Sequence, residues 1–406
     1  MAEGSLLVGT SGLNASSYPV LSLAAYGAAS LTRCVDVAYL PGGVPNGDAV
    51  YGIAFSPDGS KCAMICERSP RLRVYNTSNW SAITLTGGDI PAAGIGKPAW
   101  SPDGSLLAVG HPSSPYLTVY NTSTWTKNFS MTSPPGTARK VAFSADGSRL
   151  AVAHSTSPFL TVYNTSSWAS VTITDLPAGA GQCCAWSPDG AKLALGHSTS
   201  PSLTVYQVSN WSKLTITGGA PAGAPEGVHF SSDGTKLACV HSGSPYLTVY
   251  QVSDWSKLTI TGGNPAGVGH DCEFSPDGAR LAVAHETTPF ATVYQVSDWS
   301  KLTITGATLP ALGYACAWSS NSYIREVTSG TDAVLDDAGS PAVGRTVRLY
   351  ERAGGNLLAS TTTDGSGDYR FRCLSVIPTQ VVALDDDAGT QYNDLILGRV
   401  VPASPA

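Results

Sequence analysis

The chain has 406 residues, of which only 13% are charged, with 23 Lys and Arg against 29 Asp and Glu and a formal net charge of −6. No basic block supplies the phosphate-neutralising patch that nucleic-acid binding requires, and no apolar run reaches the roughly 18 residues of a membrane helix. The 43 glycines and 27 prolines, beside 17 tyrosines and 9 tryptophans, suit many short strands joined by tight turns rather than a helical bundle.

At the N-terminus, MAEGSLLVGTSG lacks the charged and apolar regions of a signal peptide, so synthesis and folding in a cytoplasm are expected. Three strand-like stretches follow. Gly4 to Gly9 resembles the DGSLLAVG stretch found further on, Tyr18 to Tyr26 stands where a later LTVY strand belongs, and VDVAYLPGG (Val35 to Gly43) resembles a fourth strand with its GG exit.

The next 270 or so residues repeat with a period of about 44, the range of propeller blades. Turns of the SPDG type end at Gly59, Gly104, Gly147, Gly190, Gly234 and Gly278, giving six full copies. Each copy reads as four strands, here a to d. Strand a is short and ends in Phe or Trp; strand b follows the DG turn, as in Leu150 to His154; LTVY is strand c and LTIT strand d. Alternation such as Leu150, Val152 and His154 against Ala151 and Ala153 is the period of two of a packed strand, and Asp-Gly supplies the hairpin turn. Pro158 and its counterparts open strand c, a tolerated position. The NTSxW or QVSxW segment is a polar turn whose Trp is placed to cover the next blade edge.

The array ends at Trp318-Ser319-Ser320-Asn321, one strand into a further copy. Three strands lacking their first at one end and one strand left over at the other predict a seventh blade. Residues near 5 to 43 would pair with Tyr314 to Trp318, leaving no open sheet edge. Residues 1–321 are thus expected to form a seven-bladed β-propeller in an all-β protein.

From Ser322 the period disappears. TVRLYERAGGNLLASTTTDGSGDYRFRCL and QVVALDDDAGTQYNDLILGRVVP alternate strands with Gly-rich hairpins, which fits a small β-sandwich over residues 322–406.

Chemistry is sparse. The nine cysteines include Cys184, Cys272 and Cys316 at one repeat position, which reads as small core hydrophobes with free thiols; Cys62 with Cys66, and Cys183 with Cys184, lack a second pair at zinc spacing. His111, His154, His197, His241 and His285 recur at the end of strand b, on blades too far apart for a shared ion, and are expected to hydrogen-bond a turn. His285-Glu286 begins like HExxH but lacks the second histidine, and no GxSxG elbow or phosphate-binding loop is present. The chain therefore reads as non-enzymatic, with no cofactor, catalytic residue or metal ligand.

Contact residues are sought where the copies differ. Just before strand a the copies carry Tyr51, Gly96, Arg139, Gln182, Glu226, His270 and Tyr314, and the next position includes Lys97, Lys140 and Asp271. These fall near the axis, on the face where the b–c loops emerge. In those loops Arg68, Arg71, Tyr116, Phe159, Tyr246, Glu286 and Phe290 would form an aromatic and charged rim, read either as a contact surface or as ordinary solvated loop tips. Before the inner Phe or Trp, where five blades have Ala, His229 and Glu273 stand close to His270 and Asp271; a buried ion pair and an adventitious metal site are both open. In the C-terminal segment, Asp364, Asp368 and Asp385 to Asp387 are either calcium ligands or plain acidic turns.

The FSPDG/WSPDG copies resemble the YVTN-type relatives of WD-repeat propellers over residues 1 to 321, without the WD dipeptide at its usual strand end. VLDDAGSPAVGRTVRLY, TTDGSGDYRF and VVALDDDAG resemble carboxypeptidase-regulatory-like domains of transthyretin-like topology. The closing ALDDDAGTQYNDLILGRVVP is similar to the ends of structural proteins of tailed bacteriophages. Together these resemblances imply a virion protein, tail- or fibre-associated, whose partners are other virion proteins and a host-surface protein or glycan. The alternatives are a capsid or collar decoration protein, a bacterial surface adhesin, or, as the weakest, a propeller lactonase-type enzyme built near His229 and Glu273.

Overall fold

The computed structural model describes residues 50–302 apart from 78–80, 93–95 and 129–130, residues 314–318, and the backbone of the further strands named below. The chain divides into two compact units, Met1–Asn321 and Ser322–Ala406. The first is an all-β propeller, with no helix among the described residues.

Six blades are counted, against the seven expected. They span Val50–Ile83, Ala99–Asn128, Ala138–Val171, Gly181–Lys213, Pro225–Gln251 and Gly269–Gln295, and are called blades 1 to 6. Strands a, b and c of each pair antiparallel in sequence order, as the alternating pattern predicts. Strand d differs from expectation. It is a stub of two or three residues, such as Ser170–Val171 or Ser212–Lys213, that stops before the LTIT-type segment ends, and in blades 5 and 6 it shrinks to the single bridges Tyr250–Lys257 and Tyr294–Lys301. The cause is that the chain then turns to the following blade: the amides of Gly87, Gly218 and Gly262 donate to the carbonyls of Trp125, Trp255 and Trp299, each at 2.8 Å.

The strands flanking the six blades form one further sheet. Leu6–Ser11 pairs antiparallel with Leu312–Trp318 on one side and with Ser22–Gly27 on the other, which pairs with Ser30–Asp36; Ile304–Thr305 adds a parallel edge. The third of these strands starts five residues earlier than its GG exit suggested, because only two residues separate it from Gly27 and so short a connection sets the register. Leu312–Trp318 packs against the inner strands of blades 6 and 1.

Hydrophobic cores lie between consecutive blades. One joins Leu160 and Val162 of blade 3 to Leu193 and Leu195 of blade 4, and the last joins Ala282 and Val293 of blade 6 to Cys316 and Trp318. Trp211 packs on blade 3, so the turn tryptophan covers the preceding blade rather than the next. It can do so because it adopts φ 57°, with its amide held by the Gln207 carbonyl at 2.8 Å. The strand-c tyrosines reach the same way: Tyr120, Tyr163, Tyr206, Tyr250 and Tyr294 each donate their hydroxyl to a carbonyl about 31 residues back, at 2.7–2.9 Å. A blade is thus clamped by apolar area and by satisfied polar tips together.

The seven described cysteines are free and buried, and burial pushes the Cys184 thiol up to about 12, so they behave as core side chains. Each of the five repeat histidines is fully buried, with Nε2 2.9 Å from the Thr Oγ1 seven residues on, stitching strand b to strand c. In the second unit Arg325–Thr328 pairs antiparallel with Arg370–Cys373, and a four-stranded antiparallel sheet runs Leu357–Thr362, Thr346–Glu351, Thr379–Ala383, Leu395–Val400. Asp364, Asp368 and Asp385 to Asp387 lie outside the described residues.

Candidate functional site

Every inner strand described over its full length carries the same irregularity. In blade 3 Ala138 pairs with His154 and Lys140 with Ala153, so Arg139 is skipped. The ladders skip Tyr51 in blade 1, Gln182 in blade 4, Glu226 in blade 5 and His270 in blade 6 in the same way. The strand Leu312–Trp318 does so too, since Gly313 and Ala315 pair with Thr10 and Gly9 and leave Tyr314 out. A bulge inserts one residue that belongs to neither face of the ladder and re-aims its side chain. Repeated around a ring, it places one residue per sheet at the mouth of the central channel.

These residues meet. Tyr51, Lys97, Arg139, Lys140, Gln182, Glu226, His270, Asp271 and Tyr314, with Gly96 and Ala315, line one cavity of about 320 Å³. Gly96 has no room for a side chain: a Cβ there would lie 1.6 Å from the Arg139 carbonyl oxygen, so at this position blade 2 contributes backbone only. Every varied pre-strand residue read from the sequence thus comes to one place.

The floor of this pit is an ion-pair network that crosses the ring. Lys140 of blade 3 meets Asp271 of blade 6 at 2.7 Å, and Lys97 of blade 2 lies 3.7 Å from Asp271 while also binding Glu273 and the Cys316 carbonyl, the latter at 2.8 Å. Asp271, only 4% exposed, also accepts the Cys316 amide at 3.2 Å, and Glu273 accepts the Trp318 amide at 3.3 Å. Burial pushes the Asp271 carboxyl up, but the Lys140 and Lys97 ammoniums outweigh it and hold it below the ordinary carboxylate range. Burial likewise works against the Lys140 charge, and Asp271 more than restores it, leaving the ammonium above its ordinary range. His229 accepts the Phe274 amide at Nδ1 (3.3 Å); burial, with Lys97 nearby, pulls it down to about 4, so it is neutral at pH 7.

Glu273 pairs with Lys97, while the neutral His229 accepts a backbone amide, so these two residues are held separately rather than by each other.

Above the floor the situation reverses. Arg139, Gln182, Glu226 and His270 have no hydrogen-bond or ion-pair partner among the described residues, and Arg139 Nε is buried without one. Glu226 opens to solvent, yet the surrounding protein still holds its carboxyl above the ordinary range, burial outweighing the pull of His270 and Arg139. On the other arc, Tyr314 stacks obliquely on His270 at 5.1 Å between centroids and meets Tyr51 edge-on at 5.4 Å.

The b–c loop residues Arg68, Arg71, Tyr116, Phe159, Tyr246 and Phe290 do not line the pit. Their aromatics are half-buried rather than displayed: Tyr116 packs on the core between blades 2 and 3, and each adopts φ of 66–68°, folding back over its own turn. Arg68 and Glu286 are exposed. Sequence reasoning found the lining of the pit but missed what closes it, since Lys140 and Asp271 are 131 residues apart and nothing local pairs them.

The chain matches no known protein family, and no curated protein is significantly similar to it. The likenesses to YVTN-type propellers, to transthyretin-like domains and to phage structural proteins therefore rest on the quoted motifs alone.

Proposed function

We propose that this chain is a non-catalytic binding module whose partner enters the bulge-built pit at the propeller axis, and that it serves as a structural protein of a bacteriophage virion, associated with the tail or a fibre. The observation that carries the binding reading is the contrast inside one cavity, where floor charges are mutually satisfied and Arg139, Gln182, Glu226 and His270 at the mouth are not. Asp271 and Glu273, pinned by lysines, are not poised to exchange a proton with a substrate.

The propeller is read as seven-bladed. Three features support the flanking sheet as the seventh: its inner strand shares the bulge at Tyr314, Trp318 donates Nε1–H to the Glu273 carbonyl at 2.8 Å as Trp186 does to Ala142 at 3.0 Å, and Cys316 and Trp318 complete the core on blade 6. Residues 322–406 are read as a transthyretin-like β-sandwich, in keeping with a four-stranded and a two-stranded antiparallel sheet. The virion assignment rests on the phage-like C-terminal motif, with other virion proteins and a host-surface molecule as partners. A closed, clamped ring suits that setting, since it displays a site at little conformational cost.

Two measurements test this. The chain should be found in purified particles, and a particle reconstruction should show it at the tail; its presence only in infected-cell lysate would end the virion reading. Particles carrying Tyr314→Ala should adsorb to host cells at least tenfold more slowly. Unchanged adsorption with the chain packed symmetrically on the capsid would make it a decoration protein.

A further inference from the structure

The lining of the pit is sorted by chemistry around the ring. His270, Tyr314 and Tyr51 follow one another as an aromatic arc, with centroid separations of 5.1 and 5.4 Å. Arg139, Gln182 and Glu226 form the facing polar arc. Arg offers a planar fork of donors, Glu accepts only, and Gln does both, so the polar arc can take hydroxyls in either role. The aromatic arc offers an apolar surface to C–H groups.

Charge narrows the choice further. On the floor two lysines face two carboxylates, and at the mouth Arg139 faces Glu226. An anion would meet Glu226 and a cation would meet Arg139, so neither gains from the site as a whole. The cavity, about 320 Å³, falls at the small end of the range of roughly 300–1,000 Å³ for ligand clefts. A volume of that size has room for one six-membered ring with its hydroxyls.

A second cavity among the described residues, about 420 Å³ between the a–b turns of blades 3 and 4, offers no such site. Its carboxylates are used up by the turns: Asp146 takes Ser144 and Ser148, and Asp189 takes Ser187 and the Ala191 amide.

We infer that the pit binds a single uncharged sugar ring, the exposed unit of a glycan, with its C–H face on Tyr314 and Tyr51 and its hydroxyls on Arg139, Gln182 and Glu226. The inference rests on the binding-module reading above and names its partner. A glycan satisfies the open polar groups and the aromatic arc at once, whereas a protein partner would need a side chain with both properties to enter a pit of this size. Binding at one pit is weak, and copies presented together on a particle raise it by effective concentration.

The test is saturation-transfer NMR on the full chain with glucose, galactose, mannose, N-acetylglucosamine and rhamnose, and with glucuronate as the anionic comparison. At least one neutral sugar should bind in preference to glucuronate. Arg139→Gln, Glu226→Gln and Tyr314→Ala should each weaken that sugar at least tenfold with melting unchanged, while Arg68→Ala should leave it bound as before. Binding of none of the neutral sugars, a preference for glucuronate, or pit variants that bind like the parent would each overturn the assignment. The two readings fail separately. Loss of adsorption by Tyr314→Ala particles without any sugar binding points to a protein partner and sinks only the sugar. Sugar binding by a chain absent from particles sinks only the virion reading.

Discussion

The two ends of the inner strands are built on opposite plans. At the a–b end six turns do one job with nearly the same atoms. Ser144 donates to Asp146 and accepts the Arg149 amide, Asp146 accepts the Ser148 amide and hydroxyl, and Gly147 takes φ 70°; the other five turns match in outline, with Ala replacing Ser148 in two. At the d–a end six bulges take six residues out of the ladders, Tyr51, Arg139, Gln182, Glu226, His270 and Tyr314, and the side chains of four of these, Arg139, Gln182, Glu226 and His270, have no hydrogen-bond or ion-pair partner among the described residues. Repetition marks where the backbone must be satisfied. Variation, with polar groups left open, marks where something else is to be bound.

The largest effect expected on this scaffold is with pH, and it belongs mostly to the repeated histidines at the end of strand b. Burial pulls His111, His154, His241, His285 and His229 from the ordinary 6.5 down to about 4. Between those values the unfolded chain takes up protons that the folded chain refuses, so stability falls as pH drops from 6.5 towards 4 and levels off below. Each such histidine contributes up to about 1.4 kcal/mol per pH unit. Melting temperature should therefore drop steeply between pH 7 and 5, and His154→Leu should make the decline shallower. A flat profile across that range would contradict the buried, neutral histidines.

Next is the floor of the pit. Asp271→Ala strands Lys140 beside Lys97 without its acceptor, and breaking a buried pair from one side costs about 3–5 kcal/mol. Urea unfolding should show that loss, and Asp271→Ala combined with Lys140→Met should recover part of it. A loss under 1 kcal/mol would mean that the cross-ring pair is not a support of the ring.

The smallest effects set the two ends directly against each other. Ser144→Ala removes a donor to Asp146 and the acceptor of the Arg149 amide, worth about 1 kcal/mol. Gln182→Ala at the mouth breaks no hydrogen bond or ion pair within the described residues and should change stability by less than about 0.5 kcal/mol. Equal stability losses at the two sites would erase the distinction between them. The turn aspartates add an acid limb: side-chain and backbone donors hold Asp146 at about 2, so its turn bonds persist above that and weaken only as pH falls through it.

Much of this was legible before any coordinates. Strands a to c, the DG turns and the buried alternation follow from local chemistry, because a period of two and a residue able to take positive φ act within a few positions of themselves. The pit lining was legible for a different reason: aligning the copies exposes a position that does not repeat, and a ring brings equivalent positions together. The rim of aromatics at Tyr116, Phe159, Tyr246 and Phe290 was read less well, since whether a loop side chain folds back on its own blade depends on φ angles that its composition does not declare.

What the sequence by itself determined is the unit: a blade of about 44 residues, its turns, and which position varies. Only the tertiary structure decided what that position does. The bulge that turns it inward, the pairing of Lys140 with Asp271 across the axis, and the departure of strand d to the next blade all join residues that meet when the ring closes. Such pairings depend on distances between blades, and those are set by the packing of every blade on its neighbours.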